Sequence, residues 1–503
     1  MKNGRSKKFV SLVLALSMLL CLPSFASAEE LSAAPAGTET AAPQLSEQTA
    51  PAASGDTQTA APAVSGDTQG TEETQVQPSA EAQPGDAVAE LQGELDKNGG
   101  NQYPIVLVHG LFGWGNTEVA HLNYWGGTDS LREMLGNAGY QVYTPTIGPV
   151  ASNWDRACEL YAYLVGGTVD YGAAHAAKNG HDRYGRTFPG VLPELKNSDS
   201  KLKVHLVGHS MGGETIRMLA QLLEKGDANE IAATTDGSIS PLFTGKSRHW
   251  IESVTTLCTP HDGSQYDAKE EKIEPLVHQF VGALAASTGA NLNDQNLGLD
   301  FKLDQWGLER RTGESYEDYL DRVMSSSIWT QHVTDLSIYD LDTDGSAVLN
   351  DYAKAQSDIY YFSIACSDTY ASPFFPHYQK HYPNMNPMMW KSSDYMGCFV
   401  NYAYGHINVT PDWWKNDGIV SVHSAIYPDA VFKTKPDAVN KSYGTASDGT
   451  MVFKHGTQTG VWNYIEEITH TDHINMVGQS QNKSLLQGKF YELAAMLESI
   501  PEN

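Results

Sequence analysis

The run Gly208-His209-Ser210-Met211-Gly212 restricts what this chain can fold into more than any other stretch. It follows an apolar segment, Val204-His205-Leu206-Val207, and precedes a helical pattern, Thr215-Ile216-Arg217-Met218-Leu219. A strand that enters a helix through so short a turn brings backbone against backbone, and Gly208 and Gly212 leave room where any Cβ would collide. Such a turn lifts the Ser210 hydroxyl out of a sheet, while the following helix aims unpaired N–H groups and the positive end of its dipole at a developing anion. A bare G-x-S-x-G pattern arises easily by chance. The strand before it, the helix after it and a second strand at 105–108 ending in His109-Gly110 make it a nucleophile elbow, and the expectation is a serine hydrolase.

Three regions follow one another along the 503 residues. Residues 1–28 have a basic start (Lys2, Arg5, Lys7, Lys8), an apolar stretch from Phe9 to Leu22 and Ala26-Ser27-Ala28, the pattern of a signal peptide and its cleavage site, so an exported protein is expected. Large Leu20 before Cys21 argues against a lipidated cysteine. Residues 29–98 are rich in Ala, Pro, Thr and Gln and repeat Ser54-Gly55-Asp56-Thr57-Gln58 as Ser65-Gly66-Asp67-Thr68-Gln69. That composition buries too little apolar surface to offset chain entropy and reads as a disordered linker or pro-segment, one that can retain the protein at the cell wall. Residues 99–503 carry the globular pattern. No later stretch approaches the roughly 20 apolar residues of a membrane span, so stable membrane insertion is not expected. The net charge of −27 argues against nucleic acid as a partner. Cys158, Cys258, Cys366 and Cys398 are too scattered for a disulfide framework, with Cys366–Cys398 as the one bridge to look for.

From about Tyr103, short apolar runs alternate with helical patterns, which predicts a parallel sheet with crossover helices. Strands are expected at 105–108, 140–143, 204–207, 253–257 and 359–364. In one long insertion Ile273, Leu276, Val277, Phe280, Val281 and Leu284 share a helical face. That stripe serves either as ordinary core or as a lid that covers the serine in water and turns outward at a lipid surface.

A serine nucleophile needs a histidine base, and the histidine needs a carboxylate; in this fold class the chain order is Ser, acid, His. Asp417 lies in a turn between an aromatic cluster and Ile419-Val420, and His473 in a loop leading to the last helix, with His470 as its near rival. His406, His423 and His455 read as surface or structural residues. The backbone N–H groups of Leu111 and Met211 are placed to form the oxyanion hole.

Longer motifs carry a resemblance to the secreted lipases of Gram-positive bacteria, both the Bacillus/Geobacillus thermoalkaliphilic group and the staphylococcal lipases. They are His109-Gly110-Leu111-Phe112-Gly113-Trp114-Gly115, Tyr124-Trp125-Gly126-Gly127, Ser152-Asn153-Trp154-Asp155-Arg156-Ala157-Cys158-Glu159, Gly166 through His175, and Lys302-Leu303-Asp304-Gln305-Trp306-Gly307-Leu308. The resemblance implies an α/β-hydrolase fold with a mostly parallel central sheet, helices on both faces, lid helices and an extra subdomain tied by structural zinc. It implies Ser210, Asp417 and His473 as the triad, and Asp155, His175, His181 and Asp304 as zinc ligands, a donor set suited to tetrahedral Zn²⁺. It further implies a glyceride substrate met at an oil–water interface. The family's calcium site is where the sequence departs: Asn475 and Ser480 stand where carboxylates are expected and Gln481 where proline is, so Ca²⁺ there is doubtful. Asp340, Asp342, Asp344 and Asp351 imitate a calcium loop without its closing glutamate. Phospholipase A1 and plain carboxylesterases share the triad, and a non-catalytic surface or adhesion protein is the rival from another class.

Overall fold

Four consecutive apolar residues, Ile105-Val106-Leu107-Val108, form β1, and all four are buried because helices cover the sheet on both sides. Alternation along the strand sorts them: Ile105 and Leu107 join one core, Val106 and Val108 the other. The computed structural model describes residues 100–502 apart from 117, 120–121, 198, 247–248, 267–299 and 480–482. The lid stripe, the signal peptide and the linker lie outside the described residues.

Among the described residues eleven strands follow in chain order: β1 Ile105–Val108, β2 Val142–Tyr143, β3 Gly167–Asp170, β4 Tyr184–Phe188, β5 Val204–His209, β6 Ile251–Leu257, β7 Tyr360–Ser367, β8 Thr369–Ala371, β9 Gln379–His381, β10 Ala438–Asn440 and β11 Val461–Thr469. Seven form one sheet in the order β10-β11-β7-β6-β5-β1-β2, every neighbouring pair parallel. All its carboxyl ends therefore lie along one edge, the edge where open α/β sheets build their sites. The pairs β3-β4 and β8-β9 are small antiparallel additions.

Helices Asn153–Val165 and Met211–Lys225 cover one face, packing Leu160, Leu164, Ile216 and Leu219 on Val106, Leu206 and Val254. On the other face the last helix, Lys483–Glu498, lays Leu486, Phe490, Leu493 and Leu497 into a core with Leu107, Val207, Leu257, Phe362 and Ile364. The five anticipated strands are all present, β2 shorter and β5, β6 and β7 longer than expected. The strands β10 and β11 were not anticipated: Asn463, Glu466 and Glu467 break the apolar pattern of β11, and a bulge interrupts its register against β7 between Tyr464 and Glu466. The four described cysteines are all free thiols; Cys366 is buried in β7 and Cys398 is exposed, so the Cys366–Cys398 bridge is not formed.

Candidate active site and metal centre

The elbow is as tight as its glycines imply. A Cβ on Gly208 would stand 2.4 Å from the Gly213 nitrogen, and one on Gly212 would stand 2.2 Å from the Val108 carbonyl oxygen. Between them Ser210 takes φ 55° and ψ −132°, a left-handed conformation that a side chain adopts only under constraint. The constraint is visible: Ser210 N–H donates to the Leu257 carbonyl (2.9 Å) and its own carbonyl accepts from Gly213 N–H (3.0 Å). Met211 is the first residue of the helix that follows, so its N–H has no intrahelical acceptor.

The chain after β11 brings His473 to the same edge. His473 Nδ1–H donates to Asp417 Oδ2 at 2.7 Å, and His473 N–H donates to the Asp417 carbonyl at 3.0 Å. The other oxygen of Asp417 accepts from the backbone N–H of Ile419 (3.0 Å) and Val420 (2.7 Å), which fixes the carboxylate in a buried turn. Protonation at Nδ1 leaves His473 Nε2 unprotonated, the tautomer that can take a hydroxyl proton. His470, the rival, is exposed and stacks near Tyr382 instead.

A further chain of hydrogen bonds was not foreseen. Gly110 N–H donates to Tyr124 Oη (2.9 Å), Tyr124 O–H donates to His209 Nδ1 (2.7 Å), and His209 Nε2–H donates to the His473 carbonyl (3.0 Å). Only one tautomer of His209 satisfies both partners. Burial, and then the neighbouring His473, hold its pKa well below the usual histidine range, so the ring stays neutral. The network joins the loop after β1 to the backbone of His473 through the residue next to Ser210. The same loop is braced by Arg156, whose buried guanidinium donates to the carbonyls of His109 and Gly148 and to Thr215 Oγ1. Within the loop, Gly110 and Phe112 N–H groups are taken, the latter by the Pro149 carbonyl (2.9 Å), and Leu111 lies between them. His209 followed the elbow pattern so closely that its ring went unread; an aromatic hydroxyl at Tyr124 in Tyr124-Trp125-Gly126-Gly127 was the available signal.

A second cluster sits behind the sheet's extra β3-β4 unit. Asp155 from the helix Asn153–Val165, His175 from the short helix Ala173–Asn179, His181 just past Gly180 and Asp335 from the turn Val333–Asp335 bring their donor atoms within 4.8 Å of one another. His175 Nε2 lies 3.2 Å from Asp155 Oδ1 and 3.0 Å from Asp335 Oδ1, and His181 Nε2 lies 3.2 Å from Asp335 Oδ2. A tetrahedral ion with ligand bonds near 2.0 Å holds its ligands about 3.3 Å apart, so this spacing fits one. The buried Asp155 Oδ1, His181 Nε2 and Asp335 Oδ2 have no hydrogen-bond partner, as ligand atoms facing a common point would not. Outer bonds aim the donors: His181 Nδ1–H donates to the Asp182 carbonyl (2.8 Å), Gln305 Nε2–H to Asp155 Oδ2 (2.7 Å), and Glu230 accepts from the N–H groups of Ala174 and His175. Burial works against a charge on His175, but the two carboxylates hold its pKa up at about 10.

Asp304 is not part of this cluster. Its two oxygens accept from Nε and Nη2 of Arg186 in a bidentate ion pair, and Asp335 takes the fourth place. Neighbouring Gln305 is the residue of that motif that reaches Asp155. The imitation calcium loop also dissolves. Residues Thr343–Tyr352 form a helix, Asp344 binds His406, and Asp351 accepts from the N–H groups of Phe432, Lys433 and Thr434. At the other calcium position Asn475 Nδ2–H donates to Asp472 Oδ2 (2.9 Å), while Ser480 and Gln481 lie outside the described residues.

An elbow of this form on a parallel sheet in this strand order is the architecture of the α/β-hydrolases. Within that class, residues 101–501 match the family described as the lipase-like C-terminal domain, and the chain belongs to it. It is 38% identical over 383 residues to Lipase 2 of Staphylococcus aureus, which covers 75% of this chain and 50% of that protein. The chain thus spans about half the length of the curated relatives it matches. Among solved structures it is similar to EstA from Clostridium botulinum (TM-score 0.71, 41% identity, 80% of this chain and 88% of that one). It is also similar to Lipase 1 from Pelosinus fermentans (TM-score 0.66, 41% identity, 80% of this chain and 100% of that one). Among the described residues no helix is long and apolar enough to cross a membrane.

Proposed function

We propose that this protein is a secreted triacylglycerol lipase that works through a Ser210–His473–Asp417 triad. The observation that carries the reading is the buried 2.7 Å bond from His473 to Asp417, on the sheet edge where the strained Ser210 stands. Ser210 Oγ attacks the ester carbonyl carbon as His473 Nε2 takes its proton, and Asp417 stabilises the resulting imidazolium. The carbonyl oxygen becomes an oxyanion held by the N–H groups of Leu111 and Met211. When the tetrahedral species collapses, the ester C–O bond breaks and the proton on His473 passes to the departing alcohol. Water, deprotonated by the same histidine, then attacks the acyl-enzyme and frees the fatty acid and Ser210.

The quartet Asp155, His175, His181 and Asp335 is assigned to a structural Zn²⁺; two imidazoles and two carboxylates suit that ion, and it would tie the β3-β4 unit to the body of the domain. Residues 1–28 are assigned to export, 29–98 to a disordered linker or pro-segment, and the apolar stripe within 267–299 to the lid.

The test is hydrolysis of emulsified long-chain triacylglycerol, phosphatidylcholine and a soluble short-chain ester by the domain beginning at residue 99 and by its Ser210→Ala variant. Triacylglycerol turnover that rises once an interface forms and is lost in the variant is the expected result. Turnover of only the soluble ester makes the protein an esterase, a preference for phosphatidylcholine makes it a phospholipase, and activity that survives Ser210→Ala overturns the mechanism.

A further inference from the structure

The hairpin β8-β9 pairs Thr369 with His381 and Ala371 with Gln379, and its tip projects two consecutive phenylalanines into solvent. Phe374 is 79% exposed and Phe375 89%, yet the tip that carries them is stitched together: Ser372 N–H donates to the Tyr378 carbonyl and His377 N–H to the Phe374 carbonyl, both at 2.8 Å. A second loop, closed by the reciprocal Asn401–Val409 bonds (3.0 and 2.8 Å), exposes Tyr402 and Tyr404 in the same way. The two loops meet at Trp414. Tyr378 packs against its ring at 5.1 Å, and its Nε1–H donates to the Phe399 carbonyl at the base of the second loop (2.8 Å).

Placement and charge say what this surface meets. The hairpin continues β7 beyond its carboxyl end, and Asp368 N–H between them donates to the Asn416 carbonyl (3.1 Å), one residue from Asp417. Because the sheet is parallel, β7 ends on the same edge as β5, where Ser210 stands. The segment itself carries little charge. From Thr369 to Ile407 there are two lysines, Lys380 and Lys391, against one acid, Asp394, a local net of +1 in a chain whose net charge is −27. Asp344, from another element, does pair with His406 at the base of the second loop, but large aromatic groups exposed side by side are rare on a monomer's surface and mark a contact. Tyrosines suit the boundary of water and hydrocarbon because ring and hydroxyl are each satisfied there, and phenylalanines gain by burying their rings in the hydrocarbon.

We infer that the Phe374-Phe375 tip, together with Tyr402 and Tyr404, is the surface by which this protein docks on a lipid–water interface. The inference rests on the proposed lipase reading and adds to it the surface that touches the lipid. Docking by this patch sets the carboxyl edge of the sheet against the lipid, so an ester reaches Ser210 from the interface and not from bulk water.

The experiment compares the wild-type chain with two double variants, Phe374→Ser/Phe375→Ser and Tyr402→Ser/Tyr404→Ser, all substituting exposed side chains. Three quantities are read: partition onto triolein emulsion droplets, turnover of that emulsion, and turnover of a soluble short-chain ester below its aggregation limit. The phenylalanine variant is expected to partition about 10-fold more weakly or worse and to lose emulsion turnover in proportion, while soluble-ester turnover stays within about twofold. The tyrosine variant shifts the same two quantities by less. Unchanged partition in the phenylalanine variant overturns the inference, as does a wild-type dimer that this variant dissociates, which gives the patch to a second copy of the chain. If the wild-type protein hydrolyses none of these esters, the lipase reading fails, and droplet partition still decides the docking surface on its own.

Discussion

At the catalytic edge both oxygens of Asp417 are held by protein: His473 on one oxygen, two backbone N–H groups on the other. In the quartet, Asp155 and Asp335 are equally buried but turn oxygens toward two histidines and toward each other, with three ligand atoms left without a hydrogen bond. Both clusters are built from histidine and aspartate. One is closed by its own backbone; the other would be closed by the cation proposed for it. A closed cluster can cycle a proton without rearranging, as a base must; an open one gains its stability from what it binds. Five substitutions break or sharpen this contrast.

Ser210→Ala has the largest effect, because it removes the nucleophile and leaves both clusters intact. Ester turnover falls by about 10⁴-fold or more with the melting temperature and metal content unchanged, as followed by initial rates beside calorimetry. Asp335→Ala does the reverse. One equivalent of metal is lost and stability falls by about 3–5 kcal/mol, since the histidines and Asp155 remain buried without their partner. Asp304→Ala, which costs only its ion pair with Arg186, keeps the metal. Elemental analysis of the three proteins separates these outcomes, and a chelator should lower the melting temperature of wild type but not of Asp335→Ala.

Asp368→Asn acts through pH. Asp368 is buried beyond the end of β7, and burial, then the charge of Asp472, push its pKa up to about 7 from the ordinary 3.8. Between those values the folded protein holds a proton that the unfolded chain has released, so wild-type stability falls as pH rises through the window from about 4 to about 7 and is flat above it. The amide has nothing to ionise. The variant should gain on the order of 3 kcal/mol over wild type across that window, measured by denaturant midpoints at several pH values. Tyr124→Phe is the mildest. It breaks the chain from Gly110 to His473 at its centre, lowering kcat by about 10-fold through a loss of about 1.4 kcal/mol while leaving KM in place.

How much of this was legible in the sequence follows from how local each signal is. The elbow, β1, β5 and β6 declare themselves within ten residues, because glycine spacing and unbroken apolar runs leave few alternatives. The acid and base needed the longer resemblance to separate His473 from His470, three residues away. Asp335 was invisible: it lies in a single turn 154 residues from His181 and borders no motif. Asp304 drew attention because it sits in a recognisable run, yet Arg186 from β4 claims it in space. The strand β11 was hidden by Glu466 and Glu467, which the fold tolerates because Lys489 and Lys415 pair with them. In each miss the deciding partner is distant in sequence.

The central claim is that Ser210 is an activated nucleophile whose activation is independent of the quartet. It is tested most directly by titration with a serine-directed organophosphonate, comparing wild type, wild type stripped of metal at a temperature where it stays folded, and Ser210→Ala, with the adduct located by mass spectrometry. The account predicts one adduct per chain on Ser210 in both forms of the wild type, activity lost in step with labelling, and none in the variant. Folded wild-type protein that fails to label, or an adduct that persists in Ser210→Ala, contradicts it.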